Sequence, residues 1–354
     1  MLDIVRGREE FQVLGLAAGQ NLDRLIQQVA EFSPKLVSFA GEAPPFPNAQ
    51  LCTMEEMAAC SEADLVVVGT VGRAGLRPTL AALRAGKTVA LANKEVLVMA
   101  GHLVQSVAVQ HGGRLLPVDS EHSAIWQCLV GEAEPIRRLI LTASGGAFRD
   151  LPLGEMDKVT PEEALRHPTW RMGPKITVDS ATLMNKGFEV IEAQWLFDCP
   201  PERIDVVMHR QSIVHSLVEF VDGTLKAQLG MPDMRVPLQY ALTYPERYPV
   251  DGLSMDFGKM GSLTFEALER DRYPCLALAL EATRRGGTYP AVLSAADEVA
   301  VARFLGGECS FLDIHRTVSE AIDRHSPVLE PGLEDILEAD EWTRRMLNSL
   351  RVKA

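Results

Sequence analysis

Apolar positions in the first third of the chain come in short runs separated by amphipathic stretches. Phe11 to Ala18, Lys35 to Ala40, Asp64 to Gly69, Thr88 to Ala92 and Leu115 to Val118 read as strands. DLVVVG (64–69) is apolar at nearly every position, as a strand covered on both faces requires. Between these runs, Asn21 to Phe32, Gly75 to Ala85 and Glu95 to His111 carry helical spacing, and Gly86 is placed to end the second of these helices. Strands alternating with helices predict a parallel sheet with helices on its faces, hence the α/β class.

The pattern then changes. Arg138 to Ala143 reads as a strand running into Gly145-Gly146, and the spacing predicts a single helix from Ser180 to Phe197. Ile204 to Met208, Ser212 to Phe220 and Thr224 to Leu229 read as antiparallel strands, the last two joined at Val221-Asp222-Gly223. After a stretch rich in Pro, Gly and Asp from Tyr244 to Leu263, four helical segments follow: Leu276 to Arg285, Pro290 to Phe304, Phe311 to His325 and Leu333 to Leu350. The expected organisation is a sheet domain over 1–118, an α+β domain over 119–243, a linker over 244–270 and a C-terminal helical bundle over 271–354.

Composition narrows the partners. A chain of 354 residues with 47% hydrophobic positions can build two or three cores. A net charge of -13 argues against nucleic acid, whose backbone demands a basic face. No apolar run is long enough to cross a bilayer, and the opening MLDIVRGREE lacks the apolar core of a signal peptide. Six cysteines without CxxC spacing suggest reduced thiols, so the expected location is the cytoplasm.

Candidate chemistry concentrates between Pro117 and Glu192. Asp119 and Glu121 stand two apart at the end of a strand, where ligands bind in open α/β sheets. Glu189 shares a helix face with Asn185 and Lys186. Three carboxylates without His or Cys suit a hard divalent cation. The alternative is that Asp119 and Glu121 cap a helix near Ser120 while Glu189 pairs with Lys186. Ser180 reads as an N-cap whose helix terminus, with Asn185, Lys186 and Ser144 before Gly145-Gly146, could hold a phosphate, or could simply cap. RHPTWRMGPK (166–175) sets Trp170 and Met172 on a Pro/Gly-bounded loop suited to a lid or to a plain surface turn, and His167 could donate to a phosphate or transfer a proton. Lys94 could polarise a substrate oxygen or orient Asp119. His209 and His215 read as structural.

A dinucleotide-binding sheet normally opens on a glycine-rich turn, yet these residues contain no GxGxxG. The strand ending at Gly19-Gln20-Asn21 has no acidic residue for a ribose hydroxyl, which leans away from NAD and is compatible with NADP, although Gln20 brings no charge to a 2′-phosphate and an ordinary loop reads equally well.

Taken together, the segments VGRAGLRPTLAALRAGKTVALANKE (71–95), LLPVDSEHSAIWQ (115–127), LTASGGAF (141–148), RHPTWRMGPKITVDSATLMNKGFEVIEAQWLF (166–197), QSIVHS (211–216), AQLGMPDMR (227–235) and DRYPCLALA (271–279) closely resemble the 1-deoxy-D-xylulose 5-phosphate reductoisomerases. The likeness runs from the first residues to the C-terminal helices. It implies a Rossmann-like NADPH domain, a metal-dependent rearrangement and reduction of a ketose phosphate, and a homodimer. It implies Asp119, Glu121 and Glu189 as ligands of Mn²⁺ or Mg²⁺, with Co²⁺ a third candidate. Ser120, Ser144, His167, Ser180, Asn185 and Lys186 would hold the substrate, Trp170 and Met172 would ride on a flap, and Lys94 would lie beside the reacting oxygens. Lys94, Glu121 and His167 are thus the catalytic candidates. Gly19, Gln20, Asn21, Asn93, Glu95 and Gly173 would line the cofactor site. The family's opening strand and GSTGSIG-like turn have no counterpart here, so the sheet is expected without its first strand, as it would be if the start were assigned too late. Two other functions fit the same residues: a metal-dependent sugar-phosphate isomerase or lyase without reduction, and an inactive dimer that binds phosphorylated ligands.

Overall fold

The computed structural model describes residues 1–133 and 135–350 and divides into two compact units. The first holds Met1–Val96, His102–Asp119 and Met234–Val250. Its strands are β1 (Gly15–Ala18), β2 (Leu36–Phe39), β3 (Gln50–Leu51), β4 (Leu65–Val68), β5 (Thr88–Leu91) and β6 (Arg114–Pro117). They form two parallel ladders, β1-β2-β3 and β4-β5-β6. Among the described residues no ladder joins β1 to β4. The strand predicted over 11–18 is shorter, because its pairing with β2 begins only at Gly15 opposite Leu36.

Two helices of this unit follow strand ends directly. Asn21 caps Leu22–Phe32 by accepting from the Arg24 amide at 3.0 Å, and Asn93 caps Lys94–His111 by accepting from the Val96 amide at 3.1 Å. The helix Arg235–Thr243 returns to pack Leu238 and Ala241 against Ala90, Leu116 and Val118, which is why Met234–Val250 belongs to this unit. Arg8 ties the opening segment to it, donating to Gln239 at 2.8 Å and lying over the Tyr248 ring.

The second unit holds Leu97–Gly101, Ser120–Asp233 and the chain from Asp251 onward. Its sheet has the order β10-β9-β7-β8, built from β7 (Ile136–Ala143), β8 (Ile204–Met208), β9 (Val214–Phe220) and β10 (Leu225–Leu229). The predicted antiparallel placing of Ile204–Met208 is corrected here: β8 pairs with β7, and in parallel. Sixty residues that include three α-helices, Pro161–Ala164, Pro174–Thr182 and Met184–Phe197, separate β7 from β8, and such a crossover brings the chain back in the same direction. Antiparallel pairing is confined to β7 with β9 and β9 with β10. The turn between the last two is the predicted one, with Gly223 at φ +85° and its N–H donating to the Phe220 carbonyl. The helices Ser120–Leu129 and Met184–Phe197 pack Ile125, Val190 and Ala193 onto Leu139, Leu141 and Val218 of the sheet. Pro274–Arg285, Tyr289–Leu305, Phe311–Arg324 and Leu333–Ser349 form the expected C-terminal helices. No described helix is long and apolar enough to cross a membrane.

Candidate active site

The single helix predicted from Ser180 to Phe197 is two helices. Pro174–Thr182 ends at Leu183, which sits at φ +55°, and Met184–Phe197 starts anew. A leucine is held in the left-handed region because its side chain is buried in a cluster with Ala143, Met208, Tyr273 and Leu276. The Thr182 hydroxyl accepts the freed Met184 N–H at 3.2 Å. Ser180 therefore lies in the last turn of the first helix and caps nothing, and the expected anion site on its helix terminus is withdrawn. What Ser180 offers is its hydroxyl. The break also separates the directions of the two helices, so Ser180 faces one set of groups and Lys186 with Glu189 another.

The carboxylates come together. Asp119 and Glu121 stand where β6 gives way to the helix Ser120–Leu129, and Glu189 lies in the first half of Met184–Phe197. One oxygen from each of the three lies within 4.8 Å of the others. Lys186 donates to Glu121 at 2.9 Å and also to Glu189, and Lys94 donates to Asp119 at 2.8 Å. Asn185 donates to the other oxygen of Glu189, and the Ser120 hydroxyl donates to Glu121. Glu189 and Lys186 are both buried. Burial pulls the Lys186 ammonium down, but the two carboxylates outweigh it and hold the ammonium above the ordinary lysine range. His122 fixes the spacing of the two helices that carry Glu121 and Glu189. Its Nε2 lies 2.8 Å from the Glu189 carbonyl oxygen and its Nδ1 lies 3.8 Å from Glu192.

A second cluster is made of hydroxyls and one imidazole. His167 Nε2 lies 3.0 Å from the Ser144 hydroxyl and 3.1 Å from that of Ser180. Its Nδ1 accepts the backbone N–H groups of Thr169 at 3.1 Å and Trp170 at 2.8 Å. Nδ1 is thus committed as an acceptor, and in the neutral ring Nε2 carries the proton. Burial, helped by Arg149, lowers the His167 pKa to about 4, in keeping with a neutral imidazole. The Ser144-Gly145-Gly146 turn approaches Ser180 so closely that a Cβ on Gly146 would stand 2.5 Å from the Ser180 carbonyl oxygen. Arg149 and the Tyr273 hydroxyl hold this turn through the carbonyls of Ser144 and Gly145.

The loop that follows His167 carries Trp170 and half-buried Met172. The Trp170 ring lies 6.0 Å from that of His215. His215 is buried, and burial holds its imidazole below the ordinary histidine range. His209 is structural as expected, buried with Nε2 accepting from Ile213 and Val214 and Nδ1 facing the Thr264 carbonyl.

Of the cofactor candidates, Gly19, Gln20 and Asn21 are exposed at the C-terminal end of β1. The buried Asn93 amide donates to the carbonyls of Thr70 at 2.7 Å and Gly72 at 2.9 Å, joining the turns after β4 and β5. Glu95 is buried beside it in the helix. Gly173 lies in the second unit as N-cap of Pro174–Thr182.

Comparison with known proteins accounts for these groupings. The family model for 1-deoxy-D-xylulose 5-phosphate reductoisomerase matches residues 1–45 and 48–101, and two C-terminal-domain models of the same enzyme match 115–197 and 229–346. A reductoisomerase from Geobacillus kaustophilus is 52% identical over 365 residues, covering 99% of this chain and 95% of its own length. One from Pelotomaculum thermopropionicum is 51% identical over 352 residues, covering 96% and 91%. The chain belongs to the 1-deoxy-D-xylulose 5-phosphate reductoisomerase family.

Solved reductoisomerases share its fold. One in complex with NADPH, fosmidomycin and magnesium is 38% identical with a TM-score of 0.91, covering 98% of this chain and 94% of that one. The Zymomonas mobilis reductoisomerase in complex with NADPH is 41% identical with a TM-score of 0.88, covering 99% and 95%. Of the side chains that hold these clusters, sequence reasoning missed His122, Arg149 and Tyr273. His122 could have been found one residue after Glu121, and Tyr273 stands inside DRYPCLALA.

Proposed function

We propose that this chain is an NADPH-dependent 1-deoxy-D-xylulose 5-phosphate reductoisomerase that rearranges the ketose phosphate and reduces the resulting aldehyde to 2-C-methyl-D-erythritol 4-phosphate. The observation that carries this reading is the approach of the Asp119, Glu121 and Glu189 oxygens to within 4.8 Å of one another, together with the meeting of Ser180, on the preceding helix Pro174–Thr182, with Ser144 through His167. Family membership supports the reaction class.

The residues fit both groups the reaction needs. An all-oxygen donor set suits Mg²⁺ or Mn²⁺, and Asp119, Glu121 and Glu189 would hold the ion. The exposed turn Gly19–Asn21 at a strand's carboxyl end, with no carboxylate of its own to repel a 2′-phosphate, suits NADPH, and Asn93, Glu95 and Gly173 are the further residues that would line its site. When bound, the metal supplies a Lewis acid for the vicinal carbonyl and hydroxyl oxygens and NADPH supplies the hydride.

This chain's own side chains then bind and orient. Ser144, Ser180 and His167 Nε2–H would take the substrate phosphate as neutral donors together with Asn185, and Lys186 would hold the substrate while bonded to Glu121 and Glu189. Lys94, already on Asp119, stands where it can donate to the reacting oxygens, and Ser120 orients Glu121. Trp170 and Met172 cover the bound sugar phosphate and exclude water, so remote phosphate binding is spent on closing the site. The working form in this reading is a homodimer in the cytoplasm.

The test is NADPH oxidation followed at 340 nm with 1-deoxy-D-xylulose 5-phosphate and Mg²⁺ or Mn²⁺, with the product identified. Metal-dependent oxidation yielding the methylerythritol phosphate is expected. Conversion of the ketose phosphate with NADPH left intact would replace this reading with the isomerase. Binding without any product would replace it with the inactive binder.

A further inference from the structure

The loop Arg166–Gly173 is held at both ends, and the far anchor reaches into the C-terminal helices. At the near end His167 accepts the Thr169 and Trp170 amides. At the far end the chain enters the helix Pro174–Thr182, and Lys175 in its first turn places Nζ 2.6 Å from Asp179 and 2.7 Å from Asp297. The ammonium also lies 4.8 Å from the centre of the Phe188 ring. Asp179 is one turn further along the same helix, directly before Ser180. Asp297 belongs to Tyr289–Leu305, in the middle of the C-terminal bundle, and is fully buried, as is Asp179. A charged side chain inside a helix bundle is costly unless it is paired, and a hydrophobic residue there would pack the bundle at least as well. Two buried aspartates are spent on one lysine that stands two residues after the loop.

We propose that Lys175 is the fixed root of the Arg166–Gly173 loop and that Asp297 is a positioning residue for the closure of that loop over the substrate phosphate. This rests on the loop acting as the flap of the reaction proposed above. The clamp sets the first turn of Pro174–Thr182 against the C-terminal bundle. That fixes where Gly173 leaves the helix, and it fixes Ser180 one and a half turns on. With the root fixed, the seven residues from Pro168 to Pro174 swing between two defined points. With the root loose, Trp170 and Ser180 no longer arrive together. The C-terminal helices thereby contribute to substrate affinity without touching substrate.

The experiment uses the full chain with Asp297→Asn, which keeps shape and leaves the Lys175–Asp179 pair in place, and with Lys175→Met. Each single variant is expected to raise KM for the ketose phosphate on the order of tenfold, with KM for NADPH unchanged. The double variant is expected to be no worse than either single, because both remove one interaction. Amide hydrogen exchange should speed up over residues 166–178 in both and stay as in the wild type along Tyr289–Leu305 outside the substituted turn. Wild-type KM and exchange in a folded Asp297→Asn would overturn the proposal. So would additive effects in the double variant, or faster exchange spread evenly over the bundle, since either marks a purely structural pair. If Asp297→Asn does not fold, Lys175→Met alone decides by the same two measurements. A wild-type chain that oxidises no NADPH sinks the functional reading. An active wild type with unaffected variants sinks only this one.

Discussion

Gly146→Ala is the substitution whose effect the structure lets us work out most fully. Gly146 lies at φ +68°, and a Cβ built there stands 2.5 Å from both the Ala181 Cα and the Ser180 carbonyl oxygen. These are helix backbone atoms that cannot rotate away. Restoring an ordinary contact near 3.4 Å requires a shift of about 0.9 Å between the Ser144–Gly146 turn and the helix Pro174–Thr182. The left-handed backbone costs an alanine roughly 1–2 kcal/mol and the overpacking about 1–3 kcal/mol, so destabilisation of about 2–5 kcal/mol is expected. The shift falls on the two contacts His167 makes with Ser144 and Ser180, at 3.0 and 3.1 Å, and stretches them beyond hydrogen-bond range. If misaligned hydroxyls weaken phosphate binding by about 1.5–3 kcal/mol, KM for the ketose phosphate rises roughly 10- to 100-fold. The assay is the KM from NADPH oxidation together with a thermal melt, with Gly154→Ala as control, since no heavy atom lies within 4 Å of its added Cβ. Gly146→Ala with a wild-type KM would refute the idea that this turn and Ser180 form one anion site, even if the melt shifted.

Glu189→Gln removes one of the converging charges while keeping its shape. Turnover should fall by about 100-fold or more, the Mn²⁺ concentration needed for half-maximal activity should rise, and far-UV circular dichroism should match the wild type. Acid should release the loop through His167. Its folded pKa of about 4 lies below the ordinary value of 6.5, so the unfolded chain binds the extra proton between these values. The stability contributed is complete above about pH 6.5 and is lost as pH falls towards 4, amounting to no more than about 2 kcal/mol once solvent screening is allowed for. Urea melts at pH 4.5, 5.5 and 7 should show this slope, and His167→Gln should flatten it.

The sheet-and-helix alternation of the first unit was legible because β1, β2, β4 and β5 are short, largely apolar runs followed within two residues by glycine or asparagine, signals that act over three or four residues, whereas the two-residue β3 carries no such signal. The pairing of β8 was not. Strand Ile204–Met208 looks the same from sequence whether its neighbour is β9 or β7, and the choice is made by the helices that the chain packs between β7 and β8. The break at Leu183 was hidden for a similar reason. Nothing local forces a leucine to φ +55°, and it is the apolar cluster around its side chain, assembled from three distant segments, that holds it there. The approach of the Trp170 ring to His215 was not legible, because the two come from separate segments of the chain. The carboxylates were found because two of them lie on one continuous stretch and the third shares a helix face with the lysine that reaches them.

Spacing offered two readings of Glu189, a metal ligand or the partner of Lys186, and the geometry removes the need to choose. Lys186 reaches Glu121 and Glu189 together, Lys94 reaches Asp119, and the three carboxylate oxygens still stand within 4.8 Å of one another. Like charges held that close repel, and the two ammonium groups, Lys94 on Asp119 and Lys186 on Glu121 and Glu189, offset that repulsion. Three carboxylates against two ammonium groups leave one negative charge, which a divalent ion reverses to one positive and a phosphate dianion then brings back to one negative. The net charge of the site therefore never exceeds one in magnitude through loading. A buried pair that would be a poor way to gain stability is in this place a way to keep three acids aimed at one point.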